Sequence, residues 1–481
     1  MNHQPKNIAI VGGGMLGLTL ALRLNNAGHR VTVFEGAGEL GGLASAWELN
    51  GVVWDRHYHV TLLSDTALRK ILNELGIENE LEWTETKTGF YTDGKLVSMS
   101  NTIEFLKFPP LDLISKFRLG ATIFYASRVN DWKALEKISV ADWLTKLSGK
   151  KTFEKMWLPL LKAKLGESYK EASAAFIWAT IQRMYAARKT GLKKEMFGYA
   201  RGGYARVLER FGKVLEEKGV EIRLNSRIEK IEKLANSNLC VVAEGDKNNS
   251  VGLSEAEGEA QPYELNEETI STLKVSNNIV ESSSLSATKA GKVFDKVILT
   301  CPSNIAAKIC PALTDEEKAK LNSVKYQGIV CASLLLKKSL AQYYVTNITD
   351  EVPFTAVIEM SALVDKEKHF GGHALVYLPK YVAPDDEIFG RTDDEIKESF
   401  ISTLEKMYPH FKRDDVLCFK ISRARQVFPI PTLNYSEKLP DMKTSLDGVF
   451  IVNSAHIING TLNVNETVQL AEKFFSHYSD K

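Results

Sequence analysis

The chain has 481 residues, 44% of them hydrophobic and 25% charged, with a formal net charge of +1; that length is material for two or three domains with ample core. A balanced charge leaves no basic footprint for nucleic acid, and no unbroken apolar run approaches the ~20 residues that span a bilayer. The five cysteines (Cys240, Cys301, Cys310, Cys331 and Cys418) are scattered without a C-x-x-C spacing, which excludes a disulfide framework, a zinc site and a redox dithiol; with residues 1–7 too short and polar for a signal peptide, a cytoplasmic setting is expected.

The first elements read strand, glycine turn, helix, strand. An apolar run from Ile8 breaks at Gly12, Gly14 and Gly17, resumes with helical spacing and continues into VTVFE. A pyrophosphate seated on backbone N–H groups at a helix N-terminus needs a turn free of side chains at Gly12 and Gly14, while Gly17 lets helix and strand pack closely. Glu35 ends the second strand, where an acid accepts hydrogen bonds from both hydroxyls of an adenosine ribose and disfavours a 2′-phosphate.

Just beyond that acid stands a second glycine pair, Gly41 and Gly42. The run from Glu35 resembles the E-x5-GG extension of the superfamily of FAD-binding amine oxidases, protoporphyrinogen oxidases and phytoene desaturases, where the second pair brings more backbone to the diphosphate. The resemblance implies FAD rather than NAD. It also implies an α/β fold: a Rossmann-like FAD-binding domain (GR2-type) with a second, substrate domain of helices plus a mainly antiparallel sheet. Around the cofactor it places Gly12, Gly14, Met15, Leu16, Gly17, Glu35, Gly41, Gly42, Leu43 and Arg56. Leu43 stands where amine oxidases often carry a basic residue, which argues against amine oxidation in particular.

Asp55, Arg56, His57, Tyr58 and His59 follow, where the backbone of the resembled superfamily passes along the flavin. Two readings of His57, Tyr58 and His59 stand: catalytic groups that tune the flavin or shuttle a proton near neutral pH, or a packed, hydrogen-bonded set with no chemical role. An extended segment would turn both histidines to one face, and without a third ligand they make no metal site.

Residues 68–81 have helical periodicity, and an Asp-Gly turn predicts a hairpin over 90–99, where the first domain hands over. Residues 100–194 read as largely helical, with Ser139 capping one helix and Asp142 three residues on. Their aromatics (Phe117, Phe124, Tyr125, Trp157, Phe176, Trp178 and Tyr185) accompany Lys162, Lys164, Arg183, Arg188, Lys193 and Lys194. The favoured reading is core with a solvated opposite face; an entrance for an apolar or anionic substrate, or a surface resting on a membrane, are the others.

Gly202 and Gly203 open a helix that ends near Gly219, followed by two short strands. This resembles the superfamily's GG-x-x-x-L helix and next strand, whose backbone, here at Arg227 and Ile228, pairs with the adenine edge. Residues 235–290, rich in Ser, Asn, Glu and Gly, carry too little apolar surface to repay ordering and read as a mobile insertion in a short hairpin. A buried strand over 297–299 then ends at Cys301 and Pro302, with Cys301 read as a small apolar residue. From 323 to 428, alternation predicts strands over 328–338, 354–360 and 373–381 and a helix over 393–408; Tyr326, Gln327, Tyr377 and Arg425 are expected to face the substrate.

At the end, an apolar strand over 449–452 meets a polar turn, and a helix starts near Asn465. In the resembled superfamily the matching strand ends in Gly-Asp, whose acid holds the ribityl or phosphate region. Asn453 and Ser454 stand there, keeping hydrogen-bonding capacity without the charge. The resemblance puts Asn463, Asn465 and Glu466 at a positive helix end beside the N1–C2=O edge of the flavin.

The expected organisation is a FAD-binding domain from residues 1–90, 196–300 and 426–481, with 91–195 and 301–425 forming the substrate domain. The expected reaction is hydride removal from a small apolar or aromatic molecule onto flavin N5, in the manner of protoporphyrinogen oxidase. Carotenoid desaturation is the alternative, then isomerisation like that of UDP-galactopyranose mutase, with no net redox change; a non-catalytic flavin-binding or membrane-associated partner protein comes last. No second G-x-G-x-x-G follows a strand, so oxygen or a quinone is the expected acceptor, with peripheral membrane contact compatible with either.

Overall fold

The computed structural model describes residues 4–188, 196–235, 238–244, 291–458 and 460–478. Its first layer is a five-stranded, all-parallel sheet in the order Glu221–Arg223, Arg30–Phe34, Asn7–Val11, Lys296–Leu299, Val449–Ile451. Parallel strands covered on both faces need continuous apolar runs, and Ile8, Ala9 and Ile10 in the middle strand are fully buried. One face packs on the helices Met15–Asn26, Gly203–Glu217 and Val464–Tyr478 through Leu18, Leu22, Phe211, Val468 and Ala471. The other is covered by the helix Ser303–Ile309 and by the antiparallel strands Ile228–Lys233, Leu239–Ala243 and Lys292–Phe294. Leu239 pairs with Phe294 and Val241 with Lys292, so these two strands form a hairpin; the insertion read above over 235–290 is corrected at its start, because Leu239–Ala243 is a buried, paired strand, and residues 245–290 lie outside the described residues.

The second sheet has seven strands in the order Val416–Pro429, Tyr326–Leu336, Ala374–Val382, Ala356–Glu359, Val345–Ile348, Thr88–Thr92, Lys95–Ser98. Only the pairing of Val345–Ile348 with Thr88–Thr92 is parallel, so the sheet is mainly antiparallel, as expected. Alternation predicted three of its strands and missed two. Val416–Pro429 carries Lys420 on one face and Arg423 and Arg425 on the other, which erases the apolar-in, polar-out signal. Val345–Ile348 is four residues long.

The helical segment caps this sheet. Its helices include Leu113–Ala126, Val140–Ser148, Leu158–Leu165 and Ala174–Arg188. Ser139 caps the second as expected, accepting from the Asp142 N–H at 3.1 Å and donating to its carboxylate at 2.7 Å. The periodic run over 152–166 is not one α-helix, because Pro159 has no N–H to bond one turn back and the stretch Phe153–Trp157 widens into a π-turn. The aromatic stripe divides. Trp157, Phe176 and Trp178 are core, but Phe117 is 78% exposed, Phe124 56% and Tyr125 52%, which corrects the reading of the stripe as core throughout. Lys193 and Lys194 lie outside the described residues, as does the Arg188 side chain.

All five cysteines are free thiols, and burial pushes that of Cys301 up to about 12. Among the described residues no helix is long and apolar enough to cross a membrane, and no His, Cys, Asp and Glu cluster suits a metal ion.

Candidate active site

The two glycine groups of the sequence meet in space. Gly12 sits at φ +118°, its N–H donating to Phe34 O at 2.8 Å, and a Cβ there would lie 2.3 Å from Thr300 Oγ1. Gly14 caps the helix Met15–Asn26 with no side-chain acceptor and no acid in the first turn, so the N–H groups of Met15 and Leu16 have no intrahelical partner. Their side chains are buried in the core, which leaves only backbone to present. The second pair joins this turn directly: the Gly41 N–H donates to Gly13 O at 2.9 Å, and Gly41 bridges Gly14. Gly41 is at φ +117°, and a Cβ would meet Leu208 Cδ1 at 2.4 Å. In front of Gly14, by contrast, nothing lies closer than Gly41 O at 3.8 Å, and Gly42 faces similar space. The result is a shallow cradle of backbone donors at a helix N-terminus, the form a diphosphate requires.

Glu35 stands at its end, accepting from the N–H groups of Gly13 at 2.7 Å and Ala37 at 2.8 Å. Ile228 is buried in the core and offers only its backbone.

Asp55 is the hub of the next segment. It is 1% exposed; one oxygen accepts the Tyr204 N–H at 2.7 Å, capping the helix Gly203–Glu217, and the other lies 3.5 Å from His59 Nδ1. Its carbonyl accepts from the Tyr377 hydroxyl at 2.5 Å, so a single residue ties the parallel-sheet layer to the second sheet. His57 Nδ1 lies 3.3 Å from Leu43 O, a pure acceptor, which fixes the proton on Nδ1. Burial pushes this imidazole down to about 4, with His59 and Arg56 acting in the same sense, so His57 is neutral at pH 7. Its buried Nε2 has no partner and presents a lone pair to the interior. Tyr58 shares a 2.9 Å hydroxyl bond with Tyr381, and burial pushes it up to about 12. Arg56 is held by Glu39, by Ala46 O and by the Trp47 ring, 5.7 Å from its guanidinium.

At the C-terminal side the asparagines turn to structure. Asn453, 1% exposed, donates to Cys301 O at 2.9 Å and to Ser303 Oγ at 3.2 Å and accepts from Ala455 N at 3.0 Å. Its amide is consumed within the chain. Asn463 accepts from Glu466 N at 3.0 Å and so caps the last helix. Asn465 accepts from the N–H groups of Ala67 and Leu68, both at 3.1 Å, capping the helix Thr66–Glu74 instead of facing a ligand. Burial raises the Glu466 carboxyl above its ordinary range; Asp65 adds to the rise and Arg183 opposes it. Arg183 pairs with Asp65 at 3.0 Å, and its Nε is buried without a partner. Asp65 escaped the sequence reading, although its place just before a helix is a capping signal.

Of the four residues expected to face substrate, Arg425 does not: it is exposed, lying 4.4 Å over the Phe389 ring and donating to Pro384 O. The Tyr326 hydroxyl is taken by Ser303 and that of Tyr377 by Asp55. Gln327 is 1% exposed with both amide atoms unpartnered. Beside it opens a cleft lined by Phe176, Phe428, Pro431, Ser454, Gly460 and Leu462.

An open backbone cradle and orphaned buried atoms at His57 Nε2 and Arg183 Nε fit FAD: donors for the diphosphate, and polar groups that a ring with donor and acceptor edges can satisfy. The chain matches the family model described as flavin containing amine oxidoreductase over residues 16–258 and 264–463. It is similar to protoporphyrinogen oxidase 2, chloroplastic/mitochondrial, of Arabidopsis thaliana, at 30% identity over 141 residues, 28% of either chain. It is also similar to 15-cis-phytoene desaturase of Solanum lycopersicum, at 27% identity over 252 residues, 48% of this chain and 42% of that one. The matched stretches thus span less than half the length of these relatives. A solved structure, the putative protoporphyrinogen oxidase from Exiguobacterium sp. 255-15, superposes with a TM-score of 0.70 over 99% of both chains at 15% identity, a likeness of fold.

Proposed function

The chain belongs to the flavin containing amine oxidoreductase family and is a FAD-dependent oxidoreductase; from that premise we propose that it removes hydride from an apolar or aromatic small molecule, in the manner of a protoporphyrinogen oxidase. The observation that carries this reading is the aromatic lining that Phe176, Phe428 and Tyr435 form with Ser454, Gly460 and Leu462 just ahead of the last helix. FAD, when bound, supplies the hydride acceptor. The N–H groups of Gly14, Met15, Leu16 and Gly42 would hold its diphosphate and Glu35 its ribose, and the Arg227 and Ile228 backbone would take the adenine. The last helix, capped by Asn463, sets a positive end against the negative charge that reduction creates. Neutral His57 would accept a hydrogen bond at Nε2 from the bound cofactor, and Tyr58, Tyr377 and Tyr381 wall the site against water. No base is required where the departing proton leaves a nitrogen, as in a porphyrinogen. Oxygen or a quinone takes the electrons.

The test is the visible spectrum of the purified protein under anaerobic additions. Flavin bands that bleach with protoporphyrinogen are the expected outcome. Bleaching by a polyene in detergent would move the reading to desaturation, which the longer match to a phytoene desaturase favours as second choice. Turnover of UDP-galactose after dithionite, with no organic donor active, would sink hydride removal.

Substrates of this kind reside in lipid, and the protein carries a surface for it. Ile103, Leu106, Leu113, Ile114, Phe117 and Phe124 are each more than half exposed on two adjoining helices, rimmed by exposed Lys107, Arg118 and Arg128. Such a face rests on an anionic bilayer surface. Serine at both Ile114 and Phe117 removes about 2–3 kcal/mol of apolar transfer and is expected to weaken binding to phosphatidylglycerol-containing vesicles by about thirtyfold or more. Unchanged co-sedimentation would remove the membrane from the reading.

A further inference from the structure

The geometry points to Lys164 and Gln327 as a receptor for a carboxylate on the substrate, set at the sheet side of the aromatic cleft. This rests on the oxidoreductase reading and adds the polar end of the substrate to it. Lys164 stands near the end of the helix Leu158–Leu165, with Nζ 3.8 Å from the centre of the Tyr381 ring and 4.9 Å from that of Phe428, a cleft residue. Its side chain is half-buried against these two rings. Its neighbours are provided for: Lys162 and Lys170 pair with Glu167 at 3.4 Å and 2.7 Å. Lys164 has no such partner among the described residues, and no nearby charge offsets its burial. Two aromatic faces attract an ammonium group without neutralising it.

Gln327 supplies the second observation. It lies opposite Phe428 in the antiparallel ladder, which puts both side chains on one face of the sheet. Its Nε2 is 3.6 Å from where a Cβ of Gly166 would stand, two residues beyond Lys164 in the chain. The side chain is 1% exposed, yet neither its oxygen nor its nitrogen has a partner. A buried amide left unpaired is costly, and an uncompensated buried cation costs more. One carboxylate reaching this corner of the cleft satisfies both, accepting charge-assisted bonds from Nζ and Nε2. The cleft walls take the apolar remainder of the molecule.

Protonation follows from the same surroundings. Burial pushes the Lys164 ammonium down to about 7. The other ionisable groups near it do not compete in this window: Tyr58 is pushed up to about 12, Tyr381 lies well above the usual tyrosine range, and His57 is down at about 4. Lys162 and Glu167, on its own stretch of chain, pair with each other. A bound carboxylate favours the charged lysine and raises its pKa, so binding takes up a proton above pH 7. Affinity for an acid is therefore flat below about pH 7 and falls by up to about tenfold per unit above it, until the pKa of the complex is reached.

The test uses the FAD-loaded protein, titrated with 1-pyrenebutyrate and, separately, with 1-pyrenebutanol, and read by fluorescence anisotropy. The acid is expected to bind at least about tenfold more tightly than the alcohol at about pH 6, and the ratio to shrink towards about pH 9. Lys164→Met keeps the length and the ring contacts and is expected to abolish the ratio while leaving the alcohol's affinity in place. Gln327→Leu is expected to reduce the ratio severalfold. Equal affinities in the unmodified protein, binding of neither probe, or a ratio that survives in Lys164→Met overturns the assignment. Flavin absorbance in the same samples separates the two readings: a colourless protein that still prefers the acid would overturn the oxidoreductase reading alone.

Discussion

Gly17→Ala is expected to give a protein that holds little or no FAD and unfolds well below the temperature of the parent. A Cβ at this position would lie 2.0 Å from Gly12 O and 3.2 Å from both Gly12 C and Ile10 Cγ2. The first of these is backbone within the glycine turn, so no side chain can swing aside; the helix must back away from the strand. Overpacking a core costs about 1–3 kcal/mol when side chains can yield, and a backbone collision lies at or above the top of that range. The displacement also moves the N–H groups of Met15 and Leu16 off the cradle, so binding falls with stability. Gly120→Ala is the control: it lies within Leu113–Ala126 with nothing near its Cβ position, and alanine there is expected to be neutral or to stabilise by up to about 1 kcal/mol. Thermal denaturation and the flavin-to-protein absorbance ratio decide the matter. A Gly17→Ala protein that is yellow and as stable as the parent would show that the close approach is not needed.

Asp55→Ala is expected to destabilise by about 1–3 kcal/mol, because the helix loses its cap and the buried Tyr204 N–H is left without an acceptor. Asp55→Asn keeps an oxygen for that N–H and loses only the charge beside the helix end and His59, so about 1 kcal/mol is expected. The ordering Ala below Asn below parent, measured as denaturation midpoints, identifies capping as the role of the residue. If Asn and Ala are equally damaging, the carboxylate charge is what matters.

How much of this was legible in the chain depends on how local the cause is. The φ of Gly12, the helix-cap position of Gly14 and the contact of Gly17 with Gly12 O all arise within one turn, and the acid at Glu35 ends the next strand, so a linear pattern records them. The Ser139 cap is equally local. Asp55 is different: its acceptor role depends on Tyr204, 149 positions away, and nothing beside Asp55 announces it. Asn465 likewise reads as a group at a helix mouth, yet it serves the helix Thr66–Glu74. The aromatic stripe shows a third limit. Periodicity reports that a helix has an apolar side, but Phe117 and Trp157 look alike in sequence, and only packing decides that one is covered and the other bare. The orphaned Gln327 amide has no signature at all, since an absent partner leaves no residue to read.

The parallel sheet has a temporal consequence. Its middle three strands come from the first and central parts of the chain, but the edge strand Val449–Ile451 and the helix Val464–Tyr478 follow more than a hundred positions later. A ribosome exposes the glycine cradle long before the strand Val449–Ile451, so the nascent cradle waits without that neighbour while the intervening chain is made. Long-range parallel pairing of this sort closes slowly and leaves edges open meanwhile. The sheet beneath the cradle is therefore complete only once the strand Val449–Ile451 has emerged and paired with Lys296–Leu299.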